Sequence, residues 1–327
     1  MGHVFISRAV PGRALDLLTA AGHSVETWSG DLPPPPETLG AKLAAAHAAF
    51  TTVVDFVSTG MLAAAPRLKI VANMAVGYDN VDPVAAAGMG IWVTNTPGVL
   101  AETTADMAWA LLMAAARNVV AGDRDTRAGG WQTWSPTGFL GVDVFGATLG
   151  IVGLGEIGEA VARRATGFKM RVLYHSRTHK PALEADLGLE HRPLSELLAE
   201  SDFVSLHTPL TAETRHLMST GQFAAMKPSA ILVNTSRGGV VDQDALIEAL
   251  RSGAIAGAAL DVTTPEPLPL DSPLYGFPNV VITPHIASAS LATRSRMAEM
   301  AAENIIAVLK GTPPIHPVNH PANPRQT

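Results

Sequence analysis

The chain has 327 residues, enough for about two domains that each bury a core. Its 47% hydrophobic content, 16% charged residues and mean hydropathy of +0.21 describe a globular protein, not a disordered one. A net charge of −6 gives no electrostatic reason to expect nucleic acid or an acidic membrane as partner. The absence of cysteine excludes disulfides, thiolate nucleophiles and cysteine metal sites, and no metal is expected. The opening MGHVFISRAV enters a strand-like run without a basic segment, a long apolar core and a cleavage site. No secretory signal is therefore read, and a cytoplasmic location is expected. The most apolar helix, Asp106 to Val120, falls short of a membrane span.

In chain order, Val4 to Ile6 reads as a strand and Pro11-Gly12-Arg13 opens a helix through Ala14, Leu15, Leu17 and Leu18. The run Pro33 to Pro36 reads as a stiff loop. Strands are expected at Ala48–Val53, Leu68–Met74 and Ile91–Thr94, with helices at Met61–Ala65 and Pro83–Ala87 between them. Such alternation argues for a parallel sheet. Thr103 to Arg117 then reads as a connecting helix. Asp123 to Val144 reads as an irregular, glycine-rich arm whose Trp131 and Trp134 serve either a subunit contact or packing on the neighbouring domain.

A second sheet begins at Thr148. Leu149 to Val152 run into Gly153-Leu154-Gly155-Glu156-Ile157-Gly158, and helix formers follow from Ala160. Strand, glycine turn and helix in that order are the context in which GxGxxG binds a dinucleotide. Gly153 allows the turn, Gly155 admits the pyrophosphate to the backbone, and Gly158 lets helix pack on strand. Further strands are expected at Arg171–Tyr174, Asp202–Leu206, Ala230–Asn234, Gly257–Asp261 and Val280–Thr283. Leu291 to Leu309 is a closing helix expected to return to the first domain, and the tail from Gly311 offers little to bury.

The residue ending the second strand of such a sheet selects the cofactor, an acid for the ribose hydroxyl of NAD or an arginine for the 2′-phosphate of NADP. Here Tyr174 and His175 are followed by Ser176, Arg177 and Thr178, and no carboxylate occurs before Glu184. NADP(H) is therefore favoured, with NAD(H) the alternative. Three further residues lie near strand ends, where open α/β sheets place ligands: Arg237, Glu266 and His285. An imidazole can protonate a developing alkoxide. A glutamate can hold the ring and favour its charged form. An arginine can grip a carboxylate and polarise a ketone. Each also has a plainer role open to it, as a helix cap, a solvated loop residue or a turn residue. Their combination on one dinucleotide fold is what points to carbonyl reduction.

The segments VGYDN (Val76 to Asn80), TNTPGVL (Thr94 to Leu100), GLGEIG, HTPLTAET (His207 to Thr214), NTSRGGVVD (Asn234 to Asp242), LDVTTPEPLP (Leu260 to Pro269) and TPHIAS (Thr283 to Ser288) resemble, in order, those of the D-isomer-specific 2-hydroxyacid dehydrogenases. Within that family the chain is most similar to the glyoxylate/hydroxypyruvate reductases. The resemblance implies two doubly wound α/β domains with a cleft between them: a flavodoxin-like substrate domain (1–99 and 288–327) and a Rossmann coenzyme domain (100–287) that close about Leu100 and Ala287. It implies that Arg237, Glu266 and His285 are the catalytic trio and that the Val76 and Gly77 amides, with Arg237 and His285, take the substrate. It places the cofactor against Thr104, Gly153 to Gly158, Ser176, Arg177, Thr178, His207, Thr208, Pro209, Thr214, Thr235, Ser236, Arg237, Asp261 and His285, with Asp261 facing the nicotinamide carboxamide. A homodimer through the coenzyme domains is implied, which suits the Trp131 to Phe145 arm.

Glu266 stands where the formate dehydrogenases of this superfamily carry glutamine, which disfavours formate, and no regulatory domain of the long phosphoglycerate dehydrogenases is read. Gly138, near where some relatives place a tryptophan that narrows the pocket, leaves the size of the substrate open. The expected activity is NADPH-dependent reduction of glyoxylate to glycolate and hydroxypyruvate to D-glycerate. The alternatives are a reductase of larger 2-oxo acids or a dinucleotide-sensing, corepressor-like binding protein.

Overall fold

A computed structural model describes residues 1–326. The chain divides into two compact units, Met1–Leu100 together with the residues from Ser288 onward, and Ala101–Ala287. The first unit begins β1 (His3–Ile6), α1 (Ala14–Ala20), β2 (Ser24–Thr27), α2 (Pro36–Ala45), β3 (Ala48–Thr51), α3 (Thr59–Ala63), β4 (Ile70–Asn73), α4 (Pro83–Gly88) and β5 (Trp92–Thr94). The second holds α5 (Ala101–Ala116), α6 (Val119–Arg127), β6 (Thr148–Val152), α7 (Glu156–Ala165), β7 (Arg171–His175), α8 (Pro181–Leu187), β8 (Glu190–His191), α9 (Leu194–Glu200), β9 (Phe203–Leu206), α10 (Thr220–Ala225), β10 (Ile231–Asn234), α11 (Gln243–Ser252), β11 (Gly257–Leu260) and β12 (Val280–Ile282). Helix α12 (Leu291–Leu309) belongs to the first unit.

Both sheets are parallel throughout, in the orders β2-β1-β3-β4-β5 and β12-β11-β10-β9-β6-β7-β8. Strands covered on both faces are apolar at most positions, and β3, β9 and β11 are buried at every position. The period of two decides which layer each residue meets. Leu149 and Ile151 of β6 join one core with Trp109, Leu112 and Val161, whereas Val152 joins the opposite core with Leu197, Phe223 and Leu246. In the first unit Ala298, Ala301, Ala302 and Ile305 of α12 pack with Val4, Ile6, Phe50 and Ile70, so the closing helix does cover the first sheet. Caps fix several helix starts: Asp82 accepts from the Val84 and Ala85 amides at 2.9 and 3.0 Å before α4, and Ser290 from the Thr293 amide at 3.1 Å before α12.

Three expectations are corrected. Only Pro33 to Pro35 form a connection, because Pro36 is the first residue of α2, a position where its missing N–H costs nothing. The stretch from Asp123 begins as helix, since α6 runs through Arg127, where the Arg127 guanidinium closes on Asp123 one turn earlier. The tail does bury residues: Asn319 accepts from the Val93 amide at 2.8 Å, and Arg325 donates to the Leu68 carbonyl at 2.8 Å. Strands β2 and β8 carry too few apolar residues to read as strands in the sequence. Among the described residues no helix is long and apolar enough to cross a membrane, and no group of histidine and acidic side chains is arranged to hold a metal.

Candidate active site

The glycine turn joins β6 to α7, and each glycine has its own geometric reason. Gly153 takes φ +97°, a region that side chains avoid, and a Cβ there would lie 2.7 Å from the His207 carbonyl oxygen. Gly158 sits so close beneath the turn that a Cβ would come within 2.2 Å of the Gly153 carbonyl oxygen. Gly155 is different. It is the N-cap of α7 with φ −86°, its added Cβ would meet no atom within 4 Å, and no side chain caps the helix. The first amides of α7 are thus left to whatever lies beyond Gly155, with the positive end of the helix dipole behind them.

Around this turn the ends of β6, β7, β9 and β10 gather the other expected cofactor contacts. The Gly153 amide donates to the His175 carbonyl at 2.8 Å, and the His207 amide to the Val152 carbonyl at 2.8 Å. Ser176 is half-buried, Arg177 and Thr178 are exposed, and Thr104 is buried on α5. Thr214 accepts from the Thr211 amide at 2.8 Å and donates to the Pro209 carbonyl at 2.6 Å, which folds the loop after β9 on itself. Three polar atoms in these segments, His207 Nδ1, Thr208 Oγ1 and Thr235 Oγ1, are buried with no hydrogen-bond partner among the described residues. Buried polar groups are seldom left so. Orphaned donors and acceptors beside an uncapped helix and an open Gly155 are what the rim of a dinucleotide site requires, so the residues present fit a nicotinamide dinucleotide. His207 keeps some surface as a residue, but its Nδ1 is sealed; burial pushes the imidazole pKa down to about 4 and keeps it neutral. Ser205 Oγ shares a hydrogen bond with its Nε2 at 2.8 Å.

Arg237, Glu266 and His285 follow β10, β11 and β12. The His285 ring faces Glu266, Nδ1 to Oε2 at 2.9 Å, and the Thr263 amide donates to the other oxygen of Glu266 at 3.1 Å. Nδ1 is thus committed to Glu266, which fixes the orientation of the ring. His285 has φ +54°, and its segment is pinned by Asp261, whose carboxylate accepts from Thr283 Oγ1 at 2.6 Å and from the Ile286 and Ala287 amides at 2.8 Å each. Asp261 thus builds the histidine loop besides any contact with cofactor.

Asn234 and Gly238, for which no role of their own was readable in the sequence, hold Arg237. Asn234 Nδ2 donates to the Arg237 carbonyl at 3.0 Å while its Oδ1 accepts from the Ser236 amide at 3.0 Å. A Cβ on Gly238 would lie 1.8 Å from the Thr263 carbonyl oxygen, so only glycine lets the Arg237 loop lie against the Thr263 to Glu266 loop. The Asn-Thr-Ser run at a strand end was readable as a turn that folds on its own side chain. The approach of Gly238 to Thr263 was not, since nothing local in the sequence encodes it.

Val76 and Gly77 belong to the first unit, in the loop after β4, and both are half-buried. The carbonyls of that loop are all taken: Ala75 by the Thr96 amide at 2.9 Å, Val76 by Asn95 Nδ2 at 2.9 Å, Gly77 by Asn73 Nδ2 at 3.0 Å.

The chain is similar to known proteins over nearly its whole length. Residues 109–287 match the family described as D-isomer specific 2-hydroxyacid dehydrogenase, NAD binding domain. The chain is 53% identical over 317 residues to a glyoxylate reductase of Korarchaeum cryptofilum, covering 97% of this chain and 95% of that protein. A solved structure from Thermus thermophilus superposes with a TM-score of 0.91 at 51% identity, covering 97% of this chain and 99% of the other. An NADPH-dependent glyoxylate/hydroxypyruvate reductase of Sinorhizobium meliloti, solved with NADP and malonate, superposes with a TM-score of 0.85 at 32% identity over 99% of this chain and 98% of the other. With its two parallel sheets, its glycine turn and its paired His285 and Glu266, the chain belongs to the D-isomer-specific 2-hydroxyacid dehydrogenases, a family of NAD(P)-dependent oxidoreductases.

Proposed function

We propose that the chain reduces small 2-oxo acids to D-2-hydroxy acids, glyoxylate to glycolate and hydroxypyruvate to D-glycerate, with NADPH as the reductant. The observation that carries this reading is the His285–Glu266 couple, in which a carboxylate 2.9 Å from Nδ1 holds the ring. When bound, the reduced nicotinamide supplies the hydrogen and electron pair that carbonyl reduction needs. His285 Nε2 gives its proton to the oxygen as charge develops there, and Glu266 steadies the ring in the orientation and charge this requires. Arg237 polarises the ketone, and the Val76 and Gly77 amides receive a carboxylate.

NADP(H) is supported by Ser176 and Arg177 and by the disposition of the first carboxylate after β7. Glu184 accepts from the Tyr174 hydroxyl at 2.8 Å, lies beside His179 and is held below the usual carboxylate range chiefly by that hydroxyl. It is thereby occupied elsewhere than at a ribose. Glu213 is likewise lowered, first by the Thr211 hydroxyl and in lesser part by Arg177, which puts that guanidinium near the loop after β9. A homodimer is part of the proposal, because Trp131, Trp134, Leu140 and Phe145 of the arm are 71%, 80%, 71% and 63% exposed, more apolar surface than an isolated arm would show to water.

Initial rates with NADPH and NADH against glyoxylate, hydroxypyruvate, pyruvate and a branched 2-oxo acid test the assignment. Loss of absorbance at 340 nm with the two small acids and NADPH is expected. Turnover confined to bulky acids overturns the substrate, and a preference for NADH overturns the cofactor.

A further inference from the structure

We infer that Asn73 and Asn95 are positioning residues that turn three successive amides, Val76, Gly77 and Tyr78, into one anion-binding row. The inference deepens the proposal that this loop receives a carboxylate, and it rests on that reading.

A trans peptide sets its C=O and N–H on opposite sides of the chain. Among the described residues the cis peptides are the X–Pro bonds before Pro265 and Pro267, and the bonds through this loop are trans. Whatever fixes a carbonyl therefore fixes the direction of the next residue's amide. The Ala75 carbonyl is held by the Thr96 amide, which turns the Val76 N–H the other way. The Val76 carbonyl is held by Asn95 Nδ2 and the Gly77 carbonyl by Asn73 Nδ2, which do the same for the amides of Gly77 and Tyr78. All of these donors come from the ends of β4 and β5, on which the loop stands. None of these three amides has an acceptor among the described residues. Successive N–H groups with one heading form an anion-binding concavity, worth more than separate donors because each already points where the charge will sit.

The two asparagines are themselves held. Asn73 is 1% exposed, accepts from Thr51 Oγ1 at 3.3 Å and donates to Asn80 Oδ1 at 3.1 Å. Asn80 Nδ2 in turn donates to the Asp55 carbonyl at 2.8 Å and the Thr52 carbonyl at 3.0 Å. Asp55 Oδ2 receives the Ser7 hydroxyl and the Thr52 amide at 2.5 and 2.7 Å. The brace thus runs from the ends of β1 and β3 to the loop, so the row of amides is preset before a ligand arrives. Tyr78, 42% exposed, contributes its backbone to the row and leaves its ring free.

The test compares Asn95→Ala, Asn73→Ala and Asn95→Gln with the unmodified chain, using glyoxylate and its methyl ester as substrates and NADPH binding by fluorescence. The alanine variants are expected to raise KM for the acid about tenfold, with kcat and kcat/KM for the ester within about twofold and the NADPH dissociation constant unchanged. Asn95→Gln, which keeps a donor, is expected to recover part of the acid's KM. A merely structural role would lower acid and ester turnover together and lower the melting temperature. An unmodified chain that reduces neither substrate, or shows no preference for the acid, sinks the underlying carboxylate reading. A preference that survives in Asn95→Ala leaves that reading standing and overturns the positioning role. If Asn73→Ala does not fold, the half-buried Asn95 decides the question alone.

Discussion

Substituting Gly155 and Gly158 by alanine, two positions three residues apart in one motif, should have opposite consequences. At Gly158 the new Cβ would lie 2.2 Å from the Gly153 carbonyl oxygen and 3.3 Å from Ile151 Cγ2, both parts of the turn and strand beneath the helix. Helix α7 must back away by roughly 1 Å to restore ordinary contact, and overpacking of that kind costs about 1–3 kcal/mol. The better helix propensity of alanine returns up to about 1 kcal/mol. A net loss of about 1–2 kcal/mol corresponds to a fall in Tm of about 2–8 °C for a unit of this size. At Gly155 the Cβ would meet nothing within 4 Å and φ is −86°, so the cost is only that of alanine for glycine at an N-cap, below about 1 kcal/mol. That Cβ would, however, stand where the phosphates approach the helix amides. Gly155→Ala is therefore expected to keep its Tm within about 4 °C while binding NADPH at least about tenfold more weakly. Differential scanning fluorimetry of the cofactor-free protein and fluorescence titration with NADPH measure both. Equal loss of Tm in the two variants, or an unaltered dissociation constant in Gly155→Ala, would refute the division between a packing glycine and a phosphate glycine.

The remaining predictions concern the trio and its supports. His285→Ala should lower kcat with glyoxylate by about 10²–10⁴-fold, and Glu266→Gln, which can still bond the ring, should lose less; near-normal turnover in His285→Ala would remove the proton-donor role. Asp261→Ala strands the Ile286 and Ala287 amides and should cost about 3 kcal/mol, read as a lower midpoint in urea as well as lost activity; activity lost with the midpoint unchanged would mean that Asp261 serves cofactor alone. His207 stays neutral in the folded chain down to about pH 4, while an unfolded histidine takes up its proton near pH 6.5. The unfolded state thus binds more protons between those values, so stability should fall as pH drops from about 6.5 to about 4, by about 1–3 kcal/mol. His207→Gln should flatten this part of the stability profile, and an unchanged slope would show that the ring is not shielded.

How much of this was legible depends on whether the determining contact is local. The glycine turn reads from sequence because strand, turn and helix are consecutive and the φ +97° at Gly153 demands the residue found there. The parallel sheets read because strands such as β9 and β10 are apolar at nearly every position, which only burial on both faces explains. Strand β2 and the docked tail did not read. Ser24 to Thr27 holds one apolar residue, and Asn319 and Arg325 are held by backbone groups more than two hundred residues earlier in the chain.

The trio occupies the middle ground. Each member announced itself by lying after an expected strand, yet what makes them a set is a contact between loops. The Arg237 loop lies against the Thr263 loop because Gly238 has no side chain, and the Thr263 amide then holds the Glu266 oxygen opposite the one that meets His285. Backbone closeness at one glycine is thus converted, through a single amide, into the orientation of a carboxylate and of the ring beyond it. The same logic operates in the first unit, where Asn73 and Asn95 act on carbonyls so as to aim amides. In both places the groups proposed to do chemistry or bind charge are set by contacts made to backbone atoms. For that reason a sequence shows which groups can react more readily than it shows what holds them in place.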